Sequence, residues 1–584
     1  MLQLPVSFVR VWLVGLVRIR VGVSAATAMA LLLGGCATVP EVPTVPPRGP
    51  TVEVKLIAFN DFHGNLRIPG LRVPVADATQ STGIRFDPAG GVEQFAGLIG
   101  QLKAANPNHA VLSAGDMVGA TPLMSALFKD EPTIEAMNLI GVDFHAVGNH
   151  EFDYGVEHLK RLAAGGCAVN SKTGKPDCQG RAEYTGAKFP FLAANVLVDK
   201  DGKTLFPAYG VKDFDGVKVA FIGMTLKGTR EVVRPSGTVG LTFLDEVDTV
   251  GRIVPALKAE GIHAIVVVMH EGGAQSGGIN ECVDFKGAAR DLATRFSADV
   301  DVVVTAHTHR FYVCLVADKL VTSAGSFGTL LTEIDLTIDR ASGRVVKKSA
   351  RNLVVKPDGA KDARLTALVE RYGLLTEPLE RRVVAKVTQE LTPVSTAAGE
   401  STLANLLADA HLFATASPDR GGAVIAFNNR GSLRAPIIPD ADGGVSYGAL
   451  FKIQPFQNDL IVMTLTGNQV KQLLEQQWSA VTGERTLMLG VSAGFSYTWD
   501  ASKPRGERVV PDSIKLNGNS VQADLQYRVA ANSFLAAGTE GLTVLRDGRE
   551  RQVSVLDLDA LVEYLSANSP YRPPEVGRRI HRLN

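Results

Sequence analysis

Apolar runs alternate with short polar clusters over the first half of the chain. Residues 52–59, 110–113, 144–147, 217–223, 264–269 and 302–304 are short and rich in apolar, β-branched side chains, which predicts buried strands. Residues 91–105 instead repeat apolar side chains at helical spacing. Strand, polar cluster and helix in repetition predict an α/β layered domain with the clusters at the C-terminal edge of its sheet.

The polar clusters contain the same few residue types. Eight of these residues follow five of the predicted strands: Asp61, His63, Asp116, Asn149, His150, His270, His307 and His309. Side chains at i and i+2 of an extended chain point the same way, so His307 and His309 can face one point. Taken by itself, this pair could instead be two surface histidines that bind no metal. Carboxylate, imidazole and amide groups together favour a pair of divalent metal ions.

The chain of 584 residues is too long for one hydrophobic core, which predicts two large domains. We place the first at residues 52–345 and the second at 383–584. Between them, residues 346–382 form a linker with a surface helix at 364–372. In the second domain, 400–411 predicts a helix, and 423–427, 460–465 and 527–530 predict strands.

The N-terminus has the features of a targeting segment. Arg10, Arg18 and Arg20 precede an apolar run at 21–33 that is short for a membrane span. The run ends in Leu-Gly-Gly-Cys, which resembles the lipobox of bacterial lipoproteins, so residues 1–36 are interpreted as a signal peptide with lipid on Cys36. A plain secretory signal is the alternative. Residues 37–51 are proline-rich and predict an extended tether.

Charge and cysteine content narrow the possible partners and compartment. Sixty basic and sixty acidic residues give no net charge, so nothing favours a nucleic-acid polymer or an anionic membrane as partner. Four cysteines remain beside Cys36. An even count in an exported chain predicts the disulfides Cys167–Cys178 and Cys282–Cys314, one of three possible pairings. Free buried thiols are the alternative.

The ordered motifs resemble a known family. Asp-x-His at 61–63, Gly-Asp at 115–116, Gly-Asn-His-Glu at 148–151, His270 and His-x-His at 307–309 resemble calcineurin-like metallophosphoesterases. With a second domain behind them, they resemble the bacterial 5′-nucleotidase family. The resemblance implies an N-terminal metallophosphoesterase β-sandwich flanked by helices, a linker helix and a C-terminal α/β substrate-binding domain.

The resemblance also implies roles for these residues. Asp61, His63 and His309 would hold one metal ion, Asn149, His270 and His307 the other, and Asp116 would bridge them. Two such ions lower the pKa of a shared water, whose hydroxide attacks phosphorus in line. His150 would face the phosphate and Asp153 would orient it; a helix N-terminal carboxylate without catalytic part is the alternative for Asp153.

The second domain resembles the substrate-binding half of nucleotidases. The implied substrate-binding residues are Asn429, Arg434, Phe456, Asn458, Phe534 and Glu540. Phe456 and Phe534 would sandwich the base; two core aromatics are the alternative. The chain departs from the family pattern at 430–432, where glycines are usual, at Glu540, where Asp is usual, and at 393–400, which lacks arginine.

We therefore expect a monomeric, exported phosphoester hydrolase, anchored by lipid to the cell envelope at the outer membrane or periplasm. Its cofactors would be two divalent ions (Mn, Zn, Co, Mg or Ca), and its substrates small phosphate esters, foremost 5′-nucleotides. The alternatives within enzymes are a cyclic- or sugar-nucleotide hydrolase and a thiosulfohydrolase-like sulfur ester hydrolase. A non-catalytic surface binding lipoprotein is the alternative of another class.

Cys36→Ser should move the protein from the membrane fraction to the soluble fraction, because a lipidated cysteine carries the two or more acyl chains that stable anchoring requires. Fractionation followed by immunoblotting measures the change. An unchanged distribution would contradict the lipobox interpretation.

Overall fold

Two six-stranded β-sheets pack face to face in the first half of the chain. The strand order of the first sheet is Val345–Val354, Leu330–Asp339, Thr51–Phe59, His109–Ser113, Phe144–Ala146, Phe191–Leu192. The order of the second is Tyr209–Phe214, Val217–Met224, Ala264–Met269, Val302–Val304, Lys319–Ala324, Phe311–Val316. The strands that precede the polar clusters are parallel neighbours within each sheet, so their C-terminal ends meet at one edge.

The computed structural model describes residues 49–77, 79–80, 83–169, 176–177, 183–456, 458–478 and 487–584. The proposed signal peptide with Cys36, the tether up to residue 48, and Cys178 lie outside these residues. The segment Pro50–Asn584 forms one compact unit. Within the described part of the chain, every helix is too short or too polar to cross a membrane.

The strand Thr51–Phe59 shows why these strands are continuously apolar. Val54 and Leu56 contribute to the core between the two sheets, whereas Ile57 and Phe59 belong to the core beneath the helices. Alternate side chains of a strand point to opposite faces, and both faces of this sheet are covered. The sequence of a strand that is buried on both faces is therefore an uninterrupted apolar run.

Helices cover the outer faces of both sheets. Val92–Ala105, Glu131–Ile140 and Val156–Ala164 pack on the first, and Glu246–Ala259 and Ala288–Arg295 on the second. The remaining elements of this half are the helices Leu123–Ala126 and Thr229–Val232 and the strand pairs Arg72–Ala76 with Ile84–Pro88, Val196–Val198 with Leu241–Phe243, and Ala168–Val169 with Pro176–Asp177. The layered α/β class predicted from the pattern is confirmed.

The segment between the halves differs from its prediction in two ways. Val345–Val354 is a strand of the first sheet, paired antiparallel with Leu330–Asp339, so the predicted linker begins inside the sheet. Its helix is longer than predicted and spans Ala363–Glu380. Leu365 and Leu368 are buried in the core of the first half, while the opposite face is exposed. Only one face of this helix therefore lies at the surface.

The second half contains a five-stranded sheet, in the order Gly490–Val491, Ile425–Asn428, Gln526–Asn532, Asp459–Thr466, Arg549–Leu556. A four-stranded sheet follows the order Asn519–Ser520, Lys515–Leu516, Phe495–Asp500, Ile580–Leu583, and Val383–Lys386 pairs with Gly444–Ser446. The helices are Thr402–Thr415, Tyr447–Ile453, Gly467–Gln476, Ser533–Ala536 and Asp557–Ala567.

The predicted helix at 400–411 begins and ends later than its apolar pattern suggested. Ser401 caps its N-terminus by accepting a hydrogen bond from the Ala404 amide at 3.2 Å. At the other end the Thr415 hydroxyl donates to the His411 carbonyl at 2.6 Å, inside the last turn. The side-chain cap at Ser401, which apolar periodicity does not report, sets the N-terminal boundary.

Candidate metal centre and substrate cleft

The predicted metal ligands meet where the strands of the two sheets end. Five of the seven have backbone φ angles in the left-handed region: Asp61 (48°), His63 (45°), Asp116 (49°), His307 (65°) and His309 (55°). Such angles are uncommon for residues other than glycine and cost free energy, so they persist where surrounding contacts enforce them. Their clustering here marks this edge of the sandwich as a functional site.

The first candidate group consists of Asp61, His63 and His309. The Nε2 atoms of the two imidazoles are 3.2 Å apart, and Asp61 Oδ1 lies 3.4 Å from His309 Nε2. Asp61 is fully buried and also accepts a hydrogen bond from the backbone amide of His307 at 3.0 Å. Three donor atoms therefore converge on one point in a fixed arrangement.

The second candidate group consists of Asp116, His270 and His307. Asn149 belongs with it, because its Oδ1 lies 3.1 Å from His270 Nε2 and 3.0 Å from His307 Nδ1. Asp116 Oδ2 is 3.0 Å from His270 Nε2 and 3.6 Å from His63 Nε2 of the first group. Asp116 thus lies between the two groups, as expected of a bridging carboxylate.

Backbone carbonyls orient the buried imidazoles. His63 Nδ1 lies 2.8 Å from the Gly119 carbonyl, and His270 Nδ1 lies 2.8 Å from the Ala114 carbonyl. A proton on Nδ1 leaves the Nε2 lone pair directed at the centre of each group, which is how metal-binding histidines are commonly fixed. The donor set and this orientation fit a pair of divalent cations.

The electrostatic field of the site also suits cations. Burial lowers the pKa of His270, but the charge and hydrogen bond of Asp116 and the charge of Asp61 outweigh it and raise that pKa to about 10. By contrast, burial together with neighbouring His150 and His309 holds the pKa of His63 well below its usual value. Buried carboxylates thus favour positive charge at the centre of the site.

Glu151 and Gly115 hold the loops of the site in place. From the sequence alone, Glu151 was assigned no role. Glu151 is buried and accepts hydrogen bonds from the amides of Asp116 at 3.0 Å, Met117 at 2.8 Å and Gly148 at 2.6 Å. At Gly115, with φ of +94°, a Cβ atom would lie 2.4 Å from His270 Nδ1. The position of Glu151 in the Gly-Asn-His-Glu motif could have indicated from the sequence that it belongs to the site.

His150 and Asp153 form a hydrogen-bonded pair beside the metal groups. His150 Nδ1 lies 2.9 Å from Asp153 Oδ2, and the His150 amide donates to Asp116 Oδ1 at 2.8 Å. Burial opposes a charged imidazole, but Asp153 and Asp116 raise the pKa of His150 above its usual value. The ring therefore favours its protonated form next to the candidate metal positions.

One cavity joins the metal end to the second half of the chain. It is lined by Asn149, His150, Asp153, His307, Asn429, Arg434, Phe456, Asn458, Phe534 and Glu540, all predicted site residues, and by Val232, Val233, Arg234, Gly431, Ser432 and Asn532. The structure thus brings together all six predicted substrate-binding residues. Sequence reasoning missed Arg234, because no motif surrounds it.

The two phenylalanine side chains of the cavity have different surroundings. Phe456 stacks on His150, with ring centroids 5.7 Å apart and an interplanar angle of 20°. The Arg434 guanidinium carbon lies 5.5 Å from the centre of the Phe456 ring. Phe534 lines the same cavity and is partly exposed. Neither ring is a fully buried core aromatic, which removes that alternative for both.

Hydrogen bonds fix the polar residues around these rings. Asn429 Oδ1 accepts from Asn532 Nδ2 at 3.1 Å, and Asn458 Nδ2 donates to the buried Asp557 at 3.3 Å. Burial raises the pKa of Glu540 to about 7, although a hydrogen bond from Asn429 lowers it. Glu540 also has a left-handed backbone, with φ of 55°. These side chains are held in place before any ligand arrives.

The cysteines test one predicted pairing. Cys282 and Cys314 form a disulfide that links the loop after Ala264–Met269 to the strand Phe311–Val316, close to the His-x-His motif. The predicted partner of Cys167, Cys178, lies outside the described residues. The Cys282–Cys314 prediction agrees with the structure.

Comparison with known proteins identifies both halves. Residues 54–311 match the calcineurin-like phosphoesterase family model, and residues 383–547 match the 5′-nucleotidase C-terminal domain model. The chain is 31% identical over 536 residues to Endonuclease YhcR of Bacillus subtilis, covering 90% of this chain but only 41% of that protein. Compared with a 5′-nucleotidase of Vibrio cholerae it is 24% identical over 588 residues, which cover 93% and 95% of the two chains.

A solved structure extends the similarity to the fold. The 5′-nucleotidase precursor from Thermus thermophilus superposes with a TM-score of 0.71 at 26% identity, covering 91% of this chain and 100% of that one. The matches span both halves, and the structure supplies two candidate metal-binding groups in the first. The chain therefore belongs to the 5′-nucleotidase family of metal-dependent phosphoester hydrolases, with a calcineurin-like phosphoesterase domain followed by a 5′-nucleotidase C-terminal domain.

Proposed function

We propose that this protein hydrolyses 5′-nucleotides to nucleoside and phosphate. The observation that carries the proposal is the single cavity in which Asn149 and His307 of the metal groups face Phe456 and Phe534 of the second half. A nucleotide matches this cavity, because its phosphate would bind at the metal end and its base would bind between the aromatic side chains of the second half. Small esters would fill only the metal end.

Seven side chains would hold the two cations: Asp61, His63 and His309 for one, Asn149, His270 and His307 for the other, and Asp116 between them. Bound there, two divalent ions would lower the pKa of a water molecule and neutralise charge on the phosphoryl oxygens. The protein holds the ligands rigidly through Glu151 and the backbone carbonyls of Ala114 and Gly119. Preorganised ligands avoid reorganisation cost during the reaction.

His150 would stabilise the negative charge that grows on the phosphoryl group in the transition state. Its Nδ1 is engaged by Asp153, so Nε2 is the ring atom available to the substrate. The raised pKa of His150 favours the protonated ring, which suits this role. Asp153 would act as a positioning residue through this ring.

The second half would bind the nucleoside. Phe456 and Phe534 would contact the base, with Asn458 beside them, and Glu540 and Asn429 would bond the sugar. Arg434 lies within electrostatic reach of Asp116, Asp153 and Asp61, which puts it on the phosphate side. Stacking tolerates any base, so this arrangement favours nucleotides as a class over one particular base.

The alternatives have less support. A sulfur ester would leave the two aromatic rings without a partner, and a non-catalytic scaffold would not require seven aligned ligand groups. Cyclic and sugar nucleotides could share the base-binding end, and turnover measurements separate them. We also propose that the protein is exported and lipid-anchored through Cys36. The Cys282–Cys314 disulfide supports an oxidising compartment.

Asp116→Asn should lose most activity and weaken the binding of both metal ions, because the Asp116 carboxylate lies 3.0 Å from His270 Nε2 of one group and 3.6 Å from His63 Nε2 of the other. Metal content by mass spectrometry and phosphate release measure the effect. Asp291→Asn, which changes an exposed aspartate of the helix Ala288–Arg295, is the matched control. Full occupancy of both ions in Asp116→Asn would contradict the bridging role.

His150→Ala should keep both metal ions yet lower kcat by about 10²- to 10⁴-fold, because it removes a charge-stabilising group that is not a ligand. Metal content and kcat are measured on the same preparation. Loss of one ion in this variant would show that His150 holds a metal and would overturn the assignment.

Phosphate release from AMP, GMP, UMP and p-nitrophenyl phosphate tests the function itself. We expect similar kcat/KM values for the three nucleotides, and a loss of about 10- to 100-fold for each in Phe534→Ala, since stacking contributes about 1–3 kcal/mol. The smaller p-nitrophenyl phosphate should lose less in this variant. Phe456→Ala should impair both substrate classes, because that ring also packs on His150.

Two results would contradict the nucleotide assignment. One is hydrolysis of p-nitrophenyl phosphate without hydrolysis of any nucleotide. The other is an equal loss for nucleotides and the small ester in Phe534→Ala, with metal content unchanged.

A further inference from the structure

Arg234 lies in the wall of the cavity and comes from the first half of the chain, shortly after the helix Thr229–Val232. Its Nε donates a hydrogen bond to the Asp153 carbonyl at 2.9 Å. Among the described residues, no carboxylate lies within 4.0 Å of its guanidinium. The four Nη hydrogens of this group are therefore available to a ligand.

The neighbouring Arg230 shows what a structural arginine looks like in the same segment. Its Nη2 donates to the Leu241 carbonyl and lies 3.9 Å from Asp199 Oδ2. It is exposed and does not line the cavity. Arg230 is thus anchored to the protein through its terminal nitrogens, whereas Arg234 is anchored through Nε alone.

The two arginines of the cavity occupy different places. Arg434 stands over the Phe456 ring and interacts electrostatically with Asp116, at the metal end. Arg234 is bonded to the Asp153 carbonyl, and the helix Thr229–Val232 that precedes it packs against Thr539–Gly541, the segment that carries Glu540. Arg234 therefore lies towards the end that would receive the leaving group of the ester.

Among the described residues, the acids near Arg234 form no ion pair with its guanidinium. Asp153 is already bonded to His150, and burial raises the pKa of Glu540 to about 7, so it is only partly ionised near neutral pH. An arginine that lines a cavity and is held through Nε alone is suited to bidentate binding of a phosphate.

We propose that Arg234 binds a second phosphate group, carried on the leaving-group side of the substrate. This inference rests on the proposed nucleotide hydrolysis and narrows it to nucleoside 5′-phosphates that carry a further phosphate on the sugar. The metal centre would take the 5′-phosphoryl group, the aromatic residues the base, and Arg234 the additional phosphate. Arg234 would contribute to binding and specificity without entering the chemical step.

The test compares two inhibitors of p-nitrophenyl phosphate hydrolysis by the metal-loaded protein. Ki is measured for adenosine 5′-monophosphate and for adenosine 3′,5′-bisphosphate in wild type, Arg234→Gln, Arg234→Lys and the control Arg230→Gln. We expect the bisphosphate to bind more tightly than the monophosphate to wild type. Arg234→Gln should raise Ki of the bisphosphate by about 10- to 100-fold, the range of a charge-assisted hydrogen-bonded contact.

The ratio of the two Ki values is the decisive quantity, because a general disturbance of Asp153 would affect both inhibitors alike. The ratio should approach one in Arg234→Gln. Arg234→Lys should keep part of the wild-type ratio, because lysine retains the charge but not the bidentate guanidinium. Arg230→Gln should leave the ratio unchanged. Metal content verifies that each variant is folded. If Arg234→Gln does not fold, the ratio in Arg234→Lys decides.

The outcomes separate this inference from the proposed function. An equal Ki for both inhibitors in wild type, or a ratio unaffected at position 234, overturns the role of Arg234 even if AMP is hydrolysed. A ratio that depends on Arg234, in a protein that hydrolyses no nucleotide, supports the phosphate contact and overturns 5′-nucleotide hydrolysis instead.

Discussion

Convergence of five strand ends on one edge of the sandwich is the constraint on which the site depends. It brings the carboxylates of Asp61 and Asp116 into a buried space with four imidazoles, and forces five residues into left-handed backbone conformations. Both features cost free energy. The sheets offset this cost with a continuous apolar core on each face, and Glu151 offsets it locally by accepting three loop amides.

The stack of Phe456 on His150 connects the two halves at the level of individual side chains. His150 is positioned from one side by Asp153 and from the other by an aromatic ring of the second half. A ligand that moves Phe456 would therefore also change the surroundings of His150. Binding energy gained at the second-half end of the cavity could in this way be used at the metal end.

The cleft combines fixed and adjustable elements. Asn429 and Asn458 are held by hydrogen bonds to Asn532 and Asp557, so they present constant donors and acceptors. Arg434 is held by its contact with the Phe456 ring and keeps its hydrogen-bond donors for a ligand.

The sequence by itself determined the local features. The strands predicted from apolar runs begin and end within two residues of the observed ones, since a strand covered on both faces is apolar throughout. The apolar strands Phe311–Val316, Lys319–Ala324 and Leu330–Asp339 were not predicted. The spacing of Asp61 and His63, and of His307 and His309, marked the metal groups. Tertiary structure decided everything that joins distant segments. The strand Val345–Val354, in which half the residues are polar and only one is fully buried, was missed because backbone pairing with Leu330–Asp339 holds it in the sheet. The stacking of Phe456 on His150 and the place of Arg234 in the cavity also depend on how remote segments pack, which local patterns do not encode.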